Sequence, residues 1–143
     1  MNRNQKKIAV FLDRDGTINE DVGYNNHPSR FRLLPNSAKA INQLNRLGLR
    51  VIIVTNQSGV ARGYFDESLV ITVNEKMETL LAREDAEIDS IYYCPHHPSE
   101  GENGYRFDCD CRKPKPGMIK RAVKEFDIDL NRSFMVGDKI TDI

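Results

Sequence analysis

IAVFLDRDGT, residues 8–17, runs five apolar residues straight into two aspartates spaced i, i+2, then glycine and threonine. An apolar run without alternation suits a central parallel strand covered on both faces. Asp13 and Asp15 then fall just past the strand, where the backbone leaves the core and a ligand can approach. Strand geometry continued for two residues points both carboxylates one way and Arg14 the other. Two neighbouring carboxylates repel, so one is driven toward its protonated form unless a cation lies between them. The pair asks for Mg²⁺, a shared proton or both. Gly16 lets the chain turn sharply here. A calcium loop is a poor match, because glycine stands fourth rather than sixth and the twelfth residue from Asp13 is Tyr24, not glutamate.

Working outward, 143 residues make one domain, 1–143, with enough chain for a real core. Lys and Arg number 21 and so do Asp and Glu, so no basic footprint points to nucleic acid. The N-terminal MNRNQKK lacks the apolar centre of a signal peptide, and no run has the length of a membrane span. These features predict a cytoplasmic protein with no membrane partner. Three cysteines cannot all pair within one chain, and in a reducing compartment their clustering points to metal.

Residues 20–35, EDVGYNNHPSRFRLLP, have no clear period and are expected to form a long surface loop near the end of the first strand. Asn36 or Ser37 can cap a helix whose buried stripe is Ala38, Ile41, Leu44 and Leu47, closed by Gly48. The β-branched run Val51–Val54 predicts a second strand, and strand, helix, strand makes a parallel βαβ unit. Thr55 should therefore arrive beside Asp13 at one edge of the sheet. TNQSGVARG, 55–63, follows with hydroxyls, amides and glycines that can meet phosphate oxygens. Asp66 caps a helix running to about Arg83 with Leu69, Val70, Val73, Met77, Leu80 and Leu81 on one face, and Ile88–Tyr93 makes a third strand.

CPHHPSEGENGYRFDCDCRKPK, 94–115, carries the second signal. Cys94 and His96 are spaced i, i+2, and Cys109 and Cys111 repeat that spacing after a polar, glycine-containing loop. Two such clamps supply four ligands to tetrahedral Zn²⁺, a closed set that folds the loop 94–111 rather than catalysing. His97 is the substitute for His96, a Cys109–Cys111 disulfide is the competing use of the thiols, and His27 reads as an isolated surface residue. Arg112 and Lys113 follow at once, two cations anchored beside the metal knot and suited to phosphate. Pro116 and Gly117 open a helix, and Phe134–Val136 makes a fourth strand ended by Gly137-Asp138, as Asp13 ends the first.

Strand ends thus deliver Asp13 and Asp15, then Thr55, then Asp138, with Lys113 from the loop. A carboxylate nucleophile, a second acid, a hydroxyl, a cation and a metal ligand suit phosphoryl transfer. On DRDGT, Thr55, Lys113 and GDKITD, in that order, the sequence resembles the haloacid dehalogenase (HAD) superfamily of phosphatases. On VTNQSGVARG, YCPHHP, CDCRKPKPG and MVGDK it is similar, along essentially its whole length, to the heptose 1,7-bisphosphate 7-phosphatase family, with histidinol-phosphate phosphatases as near relatives.

The resemblance implies an α/β fold: a doubly wound, Rossmann-like parallel sheet in three layers, without a cap domain and with the zinc loop. It implies Asp13 as nucleophile, Asp15 as general acid and base, and Thr55 and Lys113 on the transferring oxygens. Mg²⁺ is expected on the Asp13 carboxylate, the Asp15 backbone carbonyl and Asp138. By the same carry-over Asp21, Val22, Gly23, Tyr24, Asn56, Gln57, Ser58, Arg112 and Lys139 contact a small sugar bisphosphate. An open site without a cap leaves selectivity to the 20–35 loop, the zinc loop and Arg112, whose charge favours a second phosphate. A monomer is expected. Members of the family run on for another helix and strand beyond the fourth motif, so the C-terminal part is expected to be truncated at Ile143, with the fourth strand an unpaired edge. The rival readings are a histidinol-phosphate phosphatase, a receiver-like phospho-acceptor domain and an inactive metal-binding fragment.

Overall fold

The computed structural model describes residues 5–24, 27–101, 104–139 and 142. Residues 25 and 26 of the long first loop, 102 and 103 of the cysteine loop, and 140 and 141 of the last motif lie outside the described residues. The chain runs β1 (Ala9–Leu12), α1 (Ser37–Arg46), β2 (Arg50–Asn56), α2 (Glu67–Ala82), β3 (Ser90–Cys94), α3 (Gly117–Phe126) and β4 (Phe134–Val136). Short 3-10 turns at Pro28–Arg30 and Leu130–Arg132 interrupt two of the connections.

The four strands are all parallel, in the order β3-β2-β1-β4. The two central strands alternate between two cores. Val10, Leu12, Val51 and Ile53 pack with Ala38 and Ile41 of α1 and Val73, Met77 and Leu81 of α2. Ala9, Phe11, Ile52 and Val54 face the other way, onto Met118 and Ala122 of α3. That gives the three layers, and it explains why the strand sequences show no polar alternation. Fully burying one such side chain is worth about 1.5–3 kcal/mol, and Val51 to Val54 are all completely buried.

Local signals fix the element ends. The Asp66 side chain accepts a hydrogen bond from Leu69 N at 3.0 Å and starts α2. Asn36 stands at the start of α1 in a left-handed conformation and makes no side-chain cap, while Ser37 donates instead to Ile18 O at 2.8 Å. Leu47, expected in the buried stripe, is 74% exposed, because α1 ends at Arg46 and the chain is already turning toward Gly48. β2 extends to Asn56, so Thr55 and Asn56 lie within the ladder opposite Tyr93 and Cys94. β3 starts at Ser90 rather than Ile88 and ends on Cys94. β4 is an edge strand with Phe134 and Val136 exposed. Among the described residues no helix is long and apolar enough to cross a membrane.

Candidate active site

The carboxyl ends of the strands open into a cavity of about 430 Å³. Its lining includes Asp13 and Asp15 after β1, Thr55 to Gly59 at the end of β2, Arg112 and Lys113 before α3, and Lys139 and Asp142 after β4. Parallel pairing produces this convergence, because Leu12 pairs with both Ile53 and Val136 and every strand runs out on the same side. A larger cavity of about 800 Å³ lies beyond Arg62, lined by the end of the 55–63 stretch and part of the cysteine loop but by none of the expected catalytic or metal-binding residues.

Asp13 is buried, and its carboxylate accepts from Arg14 N at 2.8 Å and pairs with Lys113 Nζ at 3.1 Å. Burial pushes its carboxyl above the ordinary carboxylate range. Lys113 opposes that shift and the Asp142 carboxylate adds to it. For Asp15 burial is again the largest influence and acts upward, but Arg14, Asn19 and Gln57 outweigh it and hold the carboxyl below its ordinary value. The two acids of one motif are thus shifted in opposite directions.

Arg14 does not point away, as strand alternation predicts. The chain leaves strand geometry at once, with Ile18 N donating to Arg14 O at 2.8 Å, and the guanidinium folds back onto Asp15. Nε reaches Oδ1 at 3.0 Å and Nη2 reaches Oδ2 at 3.2 Å.

Oxygens of Asp13, Asp138 and Asp142 all lie within 4.8 Å of one another, a spacing and hard-oxygen chemistry that fit a Mg²⁺ ion. Gly16, at φ +84°, makes room for this cluster, since a Cβ there would overlap the Asp138 carboxylate. Asp142 was not singled out from the sequence. It is buried, pairs with Lys113 and accepts from Lys139 N at 3.1 Å. Its position four residues after Asp138 in GDKITD was the available signal.

The second cluster joins Cys94, His96, Cys109 and Cys111. The three thiols are free, with sulfur separations of 2.8 to 3.4 Å, and His96 Nδ1 lies 3.4 Å from Cys111 Sγ. Zn–S bonds of about 2.3 Å put ligands roughly 3.7 Å apart on a tetrahedron, so this three-sulfur, one-nitrogen set fits zinc after a small expansion. Burial pushes the Cys94 thiol strongly up, a cost that a bound cation reverses. His97 lies apart from the set. Its Nδ1 accepts from Glu100 N at 3.0 Å, and its Nε2 meets Arg62 at 3.2 Å.

The remaining expected residues divide. Gln57 donates to Thr55 Oγ1 at 3.0 Å and Asp15 Oδ2 at 3.4 Å, linking two strand ends. Asn56 lines the cavity, but its side-chain amide is engaged with both main-chain groups of Lys113, at 2.9 and 3.2 Å. Asp21, Gly23, Tyr24, Ser58 and Lys139 line the cavity, and Asp21 pairs with Lys139 at 3.8 Å. Val22 does not line it, and its carbonyl accepts from Arg30. Arg112 is steadied by a 3.4 Å bond to His96 O, so the cysteine loop aims it. Arg62, within the TNQSGVARG stretch but not among the residues the sequence singles out, lines the cavity under the Tyr24 ring with its Nε buried and without a hydrogen-bond partner. Tyr64, which lines the larger neighbouring cavity, packs on Tyr24 with ring centroids 4.7 Å apart.

A model of the family described as Polynucleotide kinase 3 phosphatase matches residues 7–142. The D-glycero-beta-D-manno-heptose-1,7-bisphosphate 7-phosphatase of Pasteurella multocida is 52% identical over 137 residues, covering 96% of this chain and 74% of that protein. The Escherichia coli K12 protein of the same name is 47% identical over 135 residues, covering 94% and 71%. Among solved structures, a Mesorhizobium loti protein described as a HAD-like phosphatase superposes with a TM-score of 0.91 at 43% identity, over 96% of this chain and 66% of that one. The D,D-heptose 1,7-bisphosphate phosphatase of B. bronchiseptica, complexed with magnesium and phosphate, gives 0.74 at 38% identity, over 87% and 65%. The chain thus spans about two thirds of the length of these solved structures.

Proposed function

Since this chain belongs to the Polynucleotide kinase 3 phosphatase family, and within it to the heptose-bisphosphate phosphatases of the HAD superfamily, we propose that it hydrolyses the C7 phosphate of D-glycero-D-manno-heptose 1,7-bisphosphate. The products are heptose 1-phosphate and inorganic phosphate. The observation that carries this reading is the acid cluster of buried Asp13 and Asp142 with exposed Asp138, all within 4.8 Å, and Lys113 Nζ 3.1 Å from Asp13 in the wall of the cavity.

In the proposed reaction a carboxylate oxygen of Asp13 bonds to phosphorus as the bond from phosphorus to the C7 oxygen breaks. Asp15 gives the departing oxygen its proton, and a phosphate dianion beside it raises its hold on that proton. In the second step Asp15 takes a proton from water, the water oxygen replaces Asp13 on phosphorus, and both acids return to their starting state. Lys113 and Thr55 hold the transferring oxygens. Magnesium would be held by Asp13, Asp138 and Asp142, with the Asp15 backbone carbonyl implied by the family resemblance, and would supply positive charge that offsets repulsion between nucleophile and phosphate. Zinc would be held by Cys94, His96, Cys109 and Cys111 and would keep folded the loop that leads into Arg112. Arg112 is read as the seat of the second phosphate, with Arg62 and Lys139 adding to the positive rim.

We read residues 1–143 as one domain that works as a cytoplasmic monomer on a small molecule. Equal numbers of acidic and basic residues and free thiols grouped for metal support that reading. The test measures phosphate release from heptose 1,7-bisphosphate and from histidinol phosphate, with Mg²⁺ present. Faster turnover of the bisphosphate is expected, and a clear preference for histidinol phosphate overturns the assignment.

A further inference from the structure

Asn74 is an amide on the buried side of α2, 5% exposed among Val70, Val73, Met77 and Leu81. A polar group in such a place costs free energy unless it is partnered. Its Oδ1 accepts from Arg14 Nη1 at 2.8 Å. Arg14 is 2% exposed, and its Nε and Nη2 form the fork on Asp15. Helix, guanidinium and carboxylate therefore make one buried chain of charge-assisted bonds ending in the catalytic cavity.

An arginine paired with the residue next to it does not fix either one, because both can swing together on the same turn. Two bonds tie the pair to other parts of the fold. In one Arg14 Nη1 donates to Asn74 Oδ1 at 2.8 Å, and in the other Gln57 Nε2 donates to Asp15 Oδ2 at 3.4 Å. Only the first is short, and it comes from a helix packed into the core. The two Asp15 oxygens also accept from Asn19 at 2.9 Å, so with Arg14 and Gln57 they meet four donors, about as many as a carboxylate has lone pairs for. An incoming oxygen must displace one donor. The long Gln57 contact, facing the cavity, is the one that yields.

We propose that Asn74 is a positioning residue that, by fixing the Arg14 guanidinium, aims the Asp15 carboxylate at the leaving oxygen and at the attacking water. This rests on the proton-transfer role given to Asp15 above. Its consequence is a loss that depends on the leaving group. A sugar alkoxide needs a proton to depart, whereas 4-nitrophenolate leaves without one.

The test compares phosphoenzyme formation from the sugar bisphosphate and from 4-nitrophenyl phosphate by rapid mixing, in the wild-type chain and in Asn74→Leu. A misplacement of this kind costs on the order of 10²-fold, so that loss is expected with the sugar substrate. The aryl substrate should keep its wild-type phosphorylation rate and show a burst of nitrophenolate, because the water step has slowed. Equal losses on both substrates, or no loss on either, overturn the proposal. If Asn74→Leu does not fold, Arg14→Lys, which keeps the buried charge but loses the fork, is read by the same two rates. A wild-type chain that forms no phosphoenzyme overturns the function itself. Wild-type turnover with equal losses in the variant removes only the positioning role.

Discussion

Gly16 ties the first motif to the last. Its φ of +84° and its contact with the Asp138 carboxylate leave no space for a side chain. Gly16→Ala should cost about 1–2 kcal/mol through the backbone alone and should also push Asp138 out of the acid cluster. A titration of activity against Mg²⁺ is expected to shift to higher concentration, and an unchanged midpoint would show that Asp138 is not held there. Asp13→Asn keeps the volume and removes the nucleophile, so hydrolysis should vanish while circular dichroism stays as wild type; near-normal phosphate release would dismiss Asp13. Asp13, Thr55 and Lys113 were legible in the sequence because reactive side chains beside apolar runs or a metal knot are rarely needed for packing. Asn74 was not, although a lone amide between Val73 and Met77 on an apolar helix face was there to be noticed. Its partner sits 60 residues away, and no local rule connects them.

Among the elements, α2 depends on its first turn. Asp66 accepts from Ser68 Oγ and Leu69 N, and these bonds hold its carboxyl below the ordinary value. Because the folded-state pKa is depressed, the stabilisation is complete above the unfolded value of about 3.9 and is lost as pH falls through the folded value. Asp66→Ala should therefore lower the melting temperature at neutral pH, and the gap from wild type should close in acid; a gap that persists in strong acid would rule out the charged cap. The cysteine loop is a different kind of element, since its folding free energy comes from a metal. Cys109→Ser should lose zinc by elemental analysis and melt at lower temperature, whereas full zinc occupancy in that variant would reject Cys109 as a ligand. Element ends were less legible than element cores. Leu47 has the right spacing for the buried stripe, yet α1 ended one residue too soon to bury it.

At the scale of the molecule, two unlike loops share one cavity, and the proposed function puts selectivity between them. Arg112 is aimed by the cysteine loop, while Tyr24 from the first loop closes over Arg62. Losing a charge-assisted contact of about 1.5–3 kcal/mol, Arg112→Ala should raise KM for the bisphosphate by about 10- to 100-fold and leave a monophosphate little affected. Equal effects on both substrates would place the second phosphate elsewhere. The sequence by itself determined the order of strands and helices and the grouping of Cys94, His96, Cys109 and Cys111, because hydrophobic period, turn residues and ligand spacing are local properties. Tertiary structure alone decided that Arg14 turns back onto Asp15, that Asp142 completes the acid cluster, and that Asn74 reaches the site from within a helix. Those outcomes depend on which buried polar groups find partners once distant segments meet, and burial is set by the whole fold rather than by any stretch of it.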